Sequence, residues 1–217
     1  MWHYLCGYWG VSFLVNNSIL FDTFNKYNHL SNNFDRFNID IEKINNVVIS
    51  HNHYDHIGGL AGFIDKNKNV NVYFAAKPDF DYKTHNIIIN NNILEIDKNI
   101  YIINIANNNT IEQSLVIKTA IGLIVLVGCS HPGILNIVQT IKNTFKDDIY
   151  ALIGGFHLMN KKYSEVESIA NQLKKHKITI IAPTHCTGFV AERIFKKIFQ
   201  NGFLKIKEGN DYFDILD

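Results

Sequence analysis

The sequence predicts an α/β layered fold, and three observations carry that prediction. Short β-branched apolar runs recur along the 217 residues, as at 47–49, 121–127 and 149–153. Stretches with helical spacing alternate with them, and Asn, Gly or Pro punctuates most junctions. Strands that alternate with helices bury their apolar faces by packing as sheets covered by helices. A hydrophobic fraction of 47% with 19% charged residues suffices for a buried core at this length. No fixed-period repeat and no Pro- or Gly-rich linker interrupts the chain, so a single domain over residues 1–217 is expected.

The elements follow in order. Two short apolar runs, 11–15 and 18–21, are joined by Asn16-Asn17 and read as a hairpin, because Asn tolerates left-handed backbone. A strand over 44–50 ends in Val47-Val48-Ile49 and stops at HNHYDHIGG. Residues 60–66 read as a short helix and 70–75 as the next strand. From 87 to 105, apolar runs alternate with Asn turns, as two or three strands do. The runs 114–119 and 121–127 pair as a hairpin ending in GCSHPG. Ile134, Val138, Ile141 and Phe145 share one face of a helix over 134–145. A buried strand over 149–153 ends in GGFHL, an amphipathic helix covers 164–176, and a strand over 178–182 ends in PTHCTG. A helix over 189–199 and closing strands over 203–206 and 212–215 complete the reading.

Composition excludes several function classes. A net charge of +1 gives no basic footprint for nucleic acid and no polybasic membrane patch. The longest apolar run, 120–127, falls far short of the ~20 residues a membrane helix needs. The start, MWHYLCGYWG, lacks the charged and apolar regions of a signal peptide. Cys6, Cys129 and Cys186 are odd in number and form no CxxC, so a cytoplasmic setting is expected and not a disulfide framework.

What stands out is ten histidines. Four strand-like runs, 47–50, 123–127, 149–153 and 178–182, each end in a loop containing histidine. Ligand sites in such sheets gather beyond strand ends. His51, His53, Asp55 and His56 make the pattern HxHxDH. His51 and His53 point the same way because extended side chains alternate with period two. Asp55 and His56 fall on the turn that starts the next helix. Imidazoles and a carboxylate at this density suit Zn2+, with iron or manganese as alternatives. Gly58-Gly59 allows the tight packing that such a loop needs.

The run VVISHNHYDHIGGL resembles the signature loop of the metallo-β-lactamase fold superfamily. Phe21-Asp22-Thr23 is similar to that family's Asp-Thr-Gly, with Phe24 in place of the glycine. GCSHPG, GGFHL and PTHCTG in this order resemble its stand-alone metal-dependent hydrolases of the dihydropterin synthase-like subgroup. The likeness spans roughly residues 7–205. It implies an αββα sandwich of two mixed β-sheets flanked by helices. It implies further that His51 and His53 hold one metal, that Asp55 and His56 belong to a second, and that His185 is the last ligand.

Two departures bear on the ligand set. The stretch 107–114 lacks the histidine expected there, and Cys129 stands where a bridging aspartate is expected. His131 takes the missing histidine's place, whereas Cys129 either ligates softly or lies nearby, and one metal or two remain open. By analogy with related phosphodiesterases, His157 is the general acid, with a packing role as its alternative. His3, His29, His85 and His176 read as surface or locally hydrogen-bonded residues. Pro132-Gly133 and Cys186-Thr187-Gly188 lead into helices whose N–H groups suit an anionic substrate, with a plain N-cap role for Thr187 as the alternative.

The expected activity is hydrolysis of an ester or phosphoester of a small anionic molecule by a metal-activated water that Asp55 orients. Competing readings are a metal- or ligand-binding protein without turnover, an iron-dependent oxidoreductase, and, more weakly, a tRNA-processing nuclease. No nucleic-acid or membrane partner is expected, and the oligomeric state is not legible.

Overall fold

The computed structural model describes residues 2–5, 9–78, 80, 82, 86–108 and 110–207, the first four by backbone alone. Cys6, His85 and the closing strand expected over 212–215 lie outside the described residues, as does the side chain of His3. The chain divides into two compact units, residues 1–96 with 207–217, and residues 97–206.

The first unit is built on a mixed sheet in the order β1-β2-β3-β4-β5-β6. Its strands are β1 (Trp2–Leu5), β2 (Ser12–Val15), β3 (Ile19–Phe21), β4 (Asn46–Ile49), β5 (Asn71–Phe74) and β6 (Ile87–Ile89). The expected hairpin is β2–β3, and Asn16 and Asn17 turn it with φ of 52° and 55°. From β3 to β6 the strands are parallel, so the chain must cross over between them. α1 (Tyr27–Arg36) makes the crossover from β3 to β4, and α2 (Tyr54–Ile57) with α3 (Leu60–Lys66) that from β4 to β5. α1 was not legible: its sequence YNHLSNNFDR is rich in Asn, a weak helix former. Only Leu30, Asn33 and Phe34 are buried on it, a face one turn wide, where Phe34 meets Phe63 of α3 edge-on at 6.2 Å.

The second unit carries a mixed sheet in the order β12-β11-β10-β9-β8-β7. These strands are β7 (Ile93–Asp97), at whose end the unit boundary falls, β8 (Ile100–Ala106), β9 (Ile111–Thr119), β10 (Gly122–Val127), β11 (Ile149–Gly155) and β12 (Ile180–Thr184). α4 (Ile134–Phe145) and α5 (Tyr163–Lys175) are the crossovers of the parallel trio β10, β11 and β12, and α6 (Phe189–Phe199) follows. The core contains Ile137, Val138 and Ile141 of α4 and Phe195 of α6, none of them accessible to solvent. The three parallel strands share a direction, so the loops after them, holding His131, His157 and His185, open on one edge of this sheet.

Two expectations need correction. Residues 203–206 form no strand; a single bridge joins Phe203 to Ile181. β9 starts at Ile111, three residues before the expected 114, and Glu112, Gln113 and Ser114 on it are all buried. Among the described residues, no helix is long and apolar enough to cross a membrane.

Candidate metal centre

In the first unit the site begins where β3 and β4 end side by side. Asp22 takes φ of 64° just past β3, a conformation that Asp tolerates. It is anchored through its backbone, its N–H to Val48 at 2.8 Å and its carbonyl to the Ser12 hydroxyl at 2.7 Å. Phe24 keeps a glycine-like φ of 61° although it is a fully buried phenylalanine. The strain is of order 1 kcal/mol or more, held by the packing around the ring. The turn grips the end of α2: Thr23 N–H and its hydroxyl both donate to the His56 carbonyl, at 2.7 and 3.0 Å. A Cβ on Gly59 would lie 2.1 Å from the Thr23 carbonyl oxygen, so close approach explains the glycine.

Asp22 organises the histidines. Its Oδ1 accepts from Ser50 N–H at 2.7 Å, and its Oδ2 accepts from the Ser50 hydroxyl at 2.8 Å and from His56 Nδ1 at 2.6 Å. Ser50 spends its one proton on Asp22, so at 2.9 Å its oxygen accepts from His51 Nδ1. Both imidazoles therefore carry their proton on Nδ1 and present the Nε2 lone pair, the tautomer a metal ligand needs. The His51 ring lies 4.6 Å from that of His53 and 4.2 Å from that of His56. Asp55 Oδ2 stands 3.6 Å from His56 Nε2. The structure thus brings His51, His53, Asp55 and His56 into one cluster, with His51 and His56 buried and His53 exposed. Three imidazoles beside one carboxylate are the donor chemistry of Zn2+ and similar borderline cations.

The second unit repeats the device with different residues. The buried carboxylate of Glu112 accepts a hydrogen bond from His131 Nδ1, which again leaves the Nε2 lone pair for a cation. Glu112 was missed in the sequence because it lies 19 residues before His131. The local signal was a polar trio, Glu112-Gln113-Ser114, ahead of the apolar run Leu115-Val116-Ile117. Asn107 also donates to the His131 carbonyl at 3.2 Å. The His157 ring lies 4.4 Å from that of His131. Ser130, His157 and His185 all have left-handed backbone, with φ of 61°, 54° and 49°. Such conformations cluster where a loop is bent to aim a side chain.

His157 is exposed and faces Cys186, whose contact raises the His157 pKa against its partial burial. The Cys129 thiol and His157, with His185 nearby, bring the Cys186 thiol down to about 5, although burial alone would push it up. Thr187 is not an N-cap. Gly188 caps α6, and the Thr187 hydroxyl instead accepts from Phe156 N–H at 2.9 Å, tying two loops together. Of the incidental histidines, His29 bonds locally to Asn25 at 2.7 Å and His176 is half-buried at the end of α5.

Residues 12–122, half of the chain, match the model of the metallo-beta-lactamase superfamily. A 7,8-dihydropterin-6-methyl-4-(beta-D-ribofuranosyl)-aminobenzene-5'-phosphate synthase of Methanocaldococcus jannaschii is 30% identical, over 92% of this chain and 88% of its own. The crystal structure of Tm1679, a metal-dependent hydrolase of the beta-lactamase superfamily, superposes with a TM-score of 0.82 and 29% identity, covering 100% of this chain and 99% of that one. Human tRNase Z, short form, shares the fold alone, with a TM-score of 0.55 and 13% identity over 85% of this chain and 92% of its own. Two mixed sheets flanked by helices, the fold class expected from the sequence, form the architecture that superposes on Tm1679. The chain belongs to the metallo-β-lactamase superfamily.

Proposed function

We propose that the protein is a metal-dependent hydrolase that cleaves an ester or phosphoester of a small anionic substrate. His51, His53, Asp55, His56, His131 and His185 are the ligands of one or two cations, Zn2+ before iron or manganese. One observation carries the reading. Asp22 fixes His56 and, through Ser50, His51, while Glu112 fixes His131, each as a tautomer with Nε2 available to a cation. When bound, the cation supplies Lewis acidity that makes water a nucleophile near neutral pH and offsets charge on the scissile group.

The protein's own residues do the rest. Asp55, with its side chain 18% exposed, orients the attacking water by accepting its proton. His157 donates a proton to the leaving group, and its contact with Cys186 favours the protonated ring. α4 and α6 start at Gly133 and Gly188 with no side chain capping their first N–H groups. Those groups suit a phosphate or carboxylate. The archaeal relative is named for a 5'-phosphate compound, which agrees with a phosphate-bearing substrate.

A panel of phosphomonoesters, phosphodiesters, lactones and thioesters tests the reading on Zn2+-loaded protein. At least one class is hydrolysed, and His53→Ala lowers kcat/KM for it roughly 100-fold or more. His53 is exposed, so the variant keeps its fold. Undiminished turnover in His53→Ala overturns the scheme. A fully loaded protein inert to the whole panel favours a binding role, which Cys129 in the bridging position would then explain.

A further inference from the structure

We propose that Cys129, His157 and Cys186 form a further binding site for a thiophilic divalent cation of the Zn2+ or Cd2+ type, one that adjoins the assigned ligands, because a Cys129 donor also lies within 4.8 Å of those of His131 and of His185. None of the three is among the six ligands assigned above, and the site stands whether or not the hydrolytic reading does. One donor atom from each, two sulfurs and an imidazole nitrogen, lie within 4.8 Å of one another. Tetrahedral Zn2+ with bonds of ~2.3 Å to sulfur and ~2.0 Å to nitrogen holds its donors about 3.5 Å apart. The cluster needs a contraction of about 1 Å, within reach of side-chain torsions. Two thiolates with one imidazole select soft or borderline cations over Mg2+ or Ca2+.

The backbone builds this cluster deliberately. Gly155 N–H donates to the Gly128 carbonyl at 3.0 Å, and the Ser130 hydroxyl donates to the Gly155 carbonyl at 2.6 Å, so the Cys129 loop is stitched to the end of β11. Phe156 N–H donates to Thr187 and Leu158 N–H to the Cys186 carbonyl, so both neighbours of His157 are tied to the Cys186 loop. Between these ties His157 is bent to its positive φ, with its ring against the sulfur. A Cβ on Gly155 would lie 2.6 Å from Cys186 Sγ, so only glycine leaves the sulfur its place.

Burial is graded in the manner of an entry path. Cys129 and Cys186 are 3% and 8% exposed, whereas His157 opens to solvent. A cation enters past the imidazole, and water completes its coordination there. Ligation releases to solvent whatever proton each sulfur and the ligating His157 nitrogen still carry. Bound metal takes the lone pair that His157 would otherwise protonate. An excess of such a cation therefore slows any reaction in which His157 is the acid.

The test is optical and independent of turnover. The full chain, stripped with chelator under reducing conditions, is titrated with Co2+, and the near-ultraviolet thiolate-to-cobalt charge-transfer band is followed. The band appears in the wild type and persists in His53→Ala. It is lost in Cys186→Ser, and His157→Ala weakens Co2+ binding at this site at least 10-fold. No band in the wild type overturns the proposal, as does a band that survives Cys186→Ser, which would place cobalt on Cys129 alone. Loss of turnover in His53→Ala with the band retained separates this site from the hydrolytic one. Loss of the band in His53→Ala merges the two and also overturns the proposal.

Discussion

Asp22→Ala is expected to lower the stability of the metal-free protein by about 3 kcal/mol and the affinity for Zn2+ by 10- to 100-fold. The carboxylate is wholly buried and accepts from Ser50 N–H, the Ser50 hydroxyl and His56 Nδ1 at 2.6–2.8 Å. Removing it strands three donors away from water, and a charge-assisted bond is the most costly to leave unmade. Asp22→Asn separates the two effects. Its carbonyl still accepts from Ser50 N–H, but its amide nitrogen cannot accept from His56. The His56 proton then moves to Nε2, where it blocks a cation. Stability in Asp22→Asn thus falls less than in Asp22→Ala, while Zn2+ affinity falls as far. Urea unfolding and competition with a chromophoric chelator measure the two quantities. Unchanged affinity in both variants would show that Asp22 does not set the tautomer of His56.

Gly154→Ala is expected to cost 3 kcal/mol or more, the largest backbone effect near the site. Its φ is +129°, and a Cβ would sit 2.0 Å from the Val127 carbonyl oxygen, far inside contact. Gly154 pairs with Val127 in the parallel β10–β11 ladder, so relief requires those strand ends to part. The loops that leave these ends hold Cys129, His131 and His157. Urea unfolding followed by circular dichroism gives the cost, and a loss below 1 kcal/mol would mean that the strand ends are looser than described.

The sequence was most informative where local pattern decides structure. α3, α4 and α6 fall on the expected boundaries because their apolar spacing and flanking Asn or Gly leave no rival. HxHxDH placed four donors within a six-residue window, and the period-two argument for His51 and His53 agrees with rings 4.6 Å apart. What escaped was long-range. Asp22 reaches His56 across 34 residues and Glu112 reaches His131 across 19, and neither pairing leaves a periodic trace. The resemblance marked Asp22 without its role, and nothing marked Glu112. Thr187 illustrates the same limit: local preference made it a helix cap, yet its hydroxyl serves Phe156, 31 residues away. α1 escaped for the opposite reason, since its helicity comes from packing Leu30 and Phe34 and not from its Asn-rich composition.

The central claim is that hydrolysis depends on a cation held by the histidine and carboxylate ligands. The most direct measurement is turnover of the ester or phosphoester that the panel identifies, with metal content determined on the same sample. Both are followed as purified, after chelation, and after single metals are returned. Turnover should fall to background on stripping and recover with Zn2+ in the wild type but not in His53→Ala. A stripped protein that hydrolyses its substrate at an undiminished rate would contradict the account.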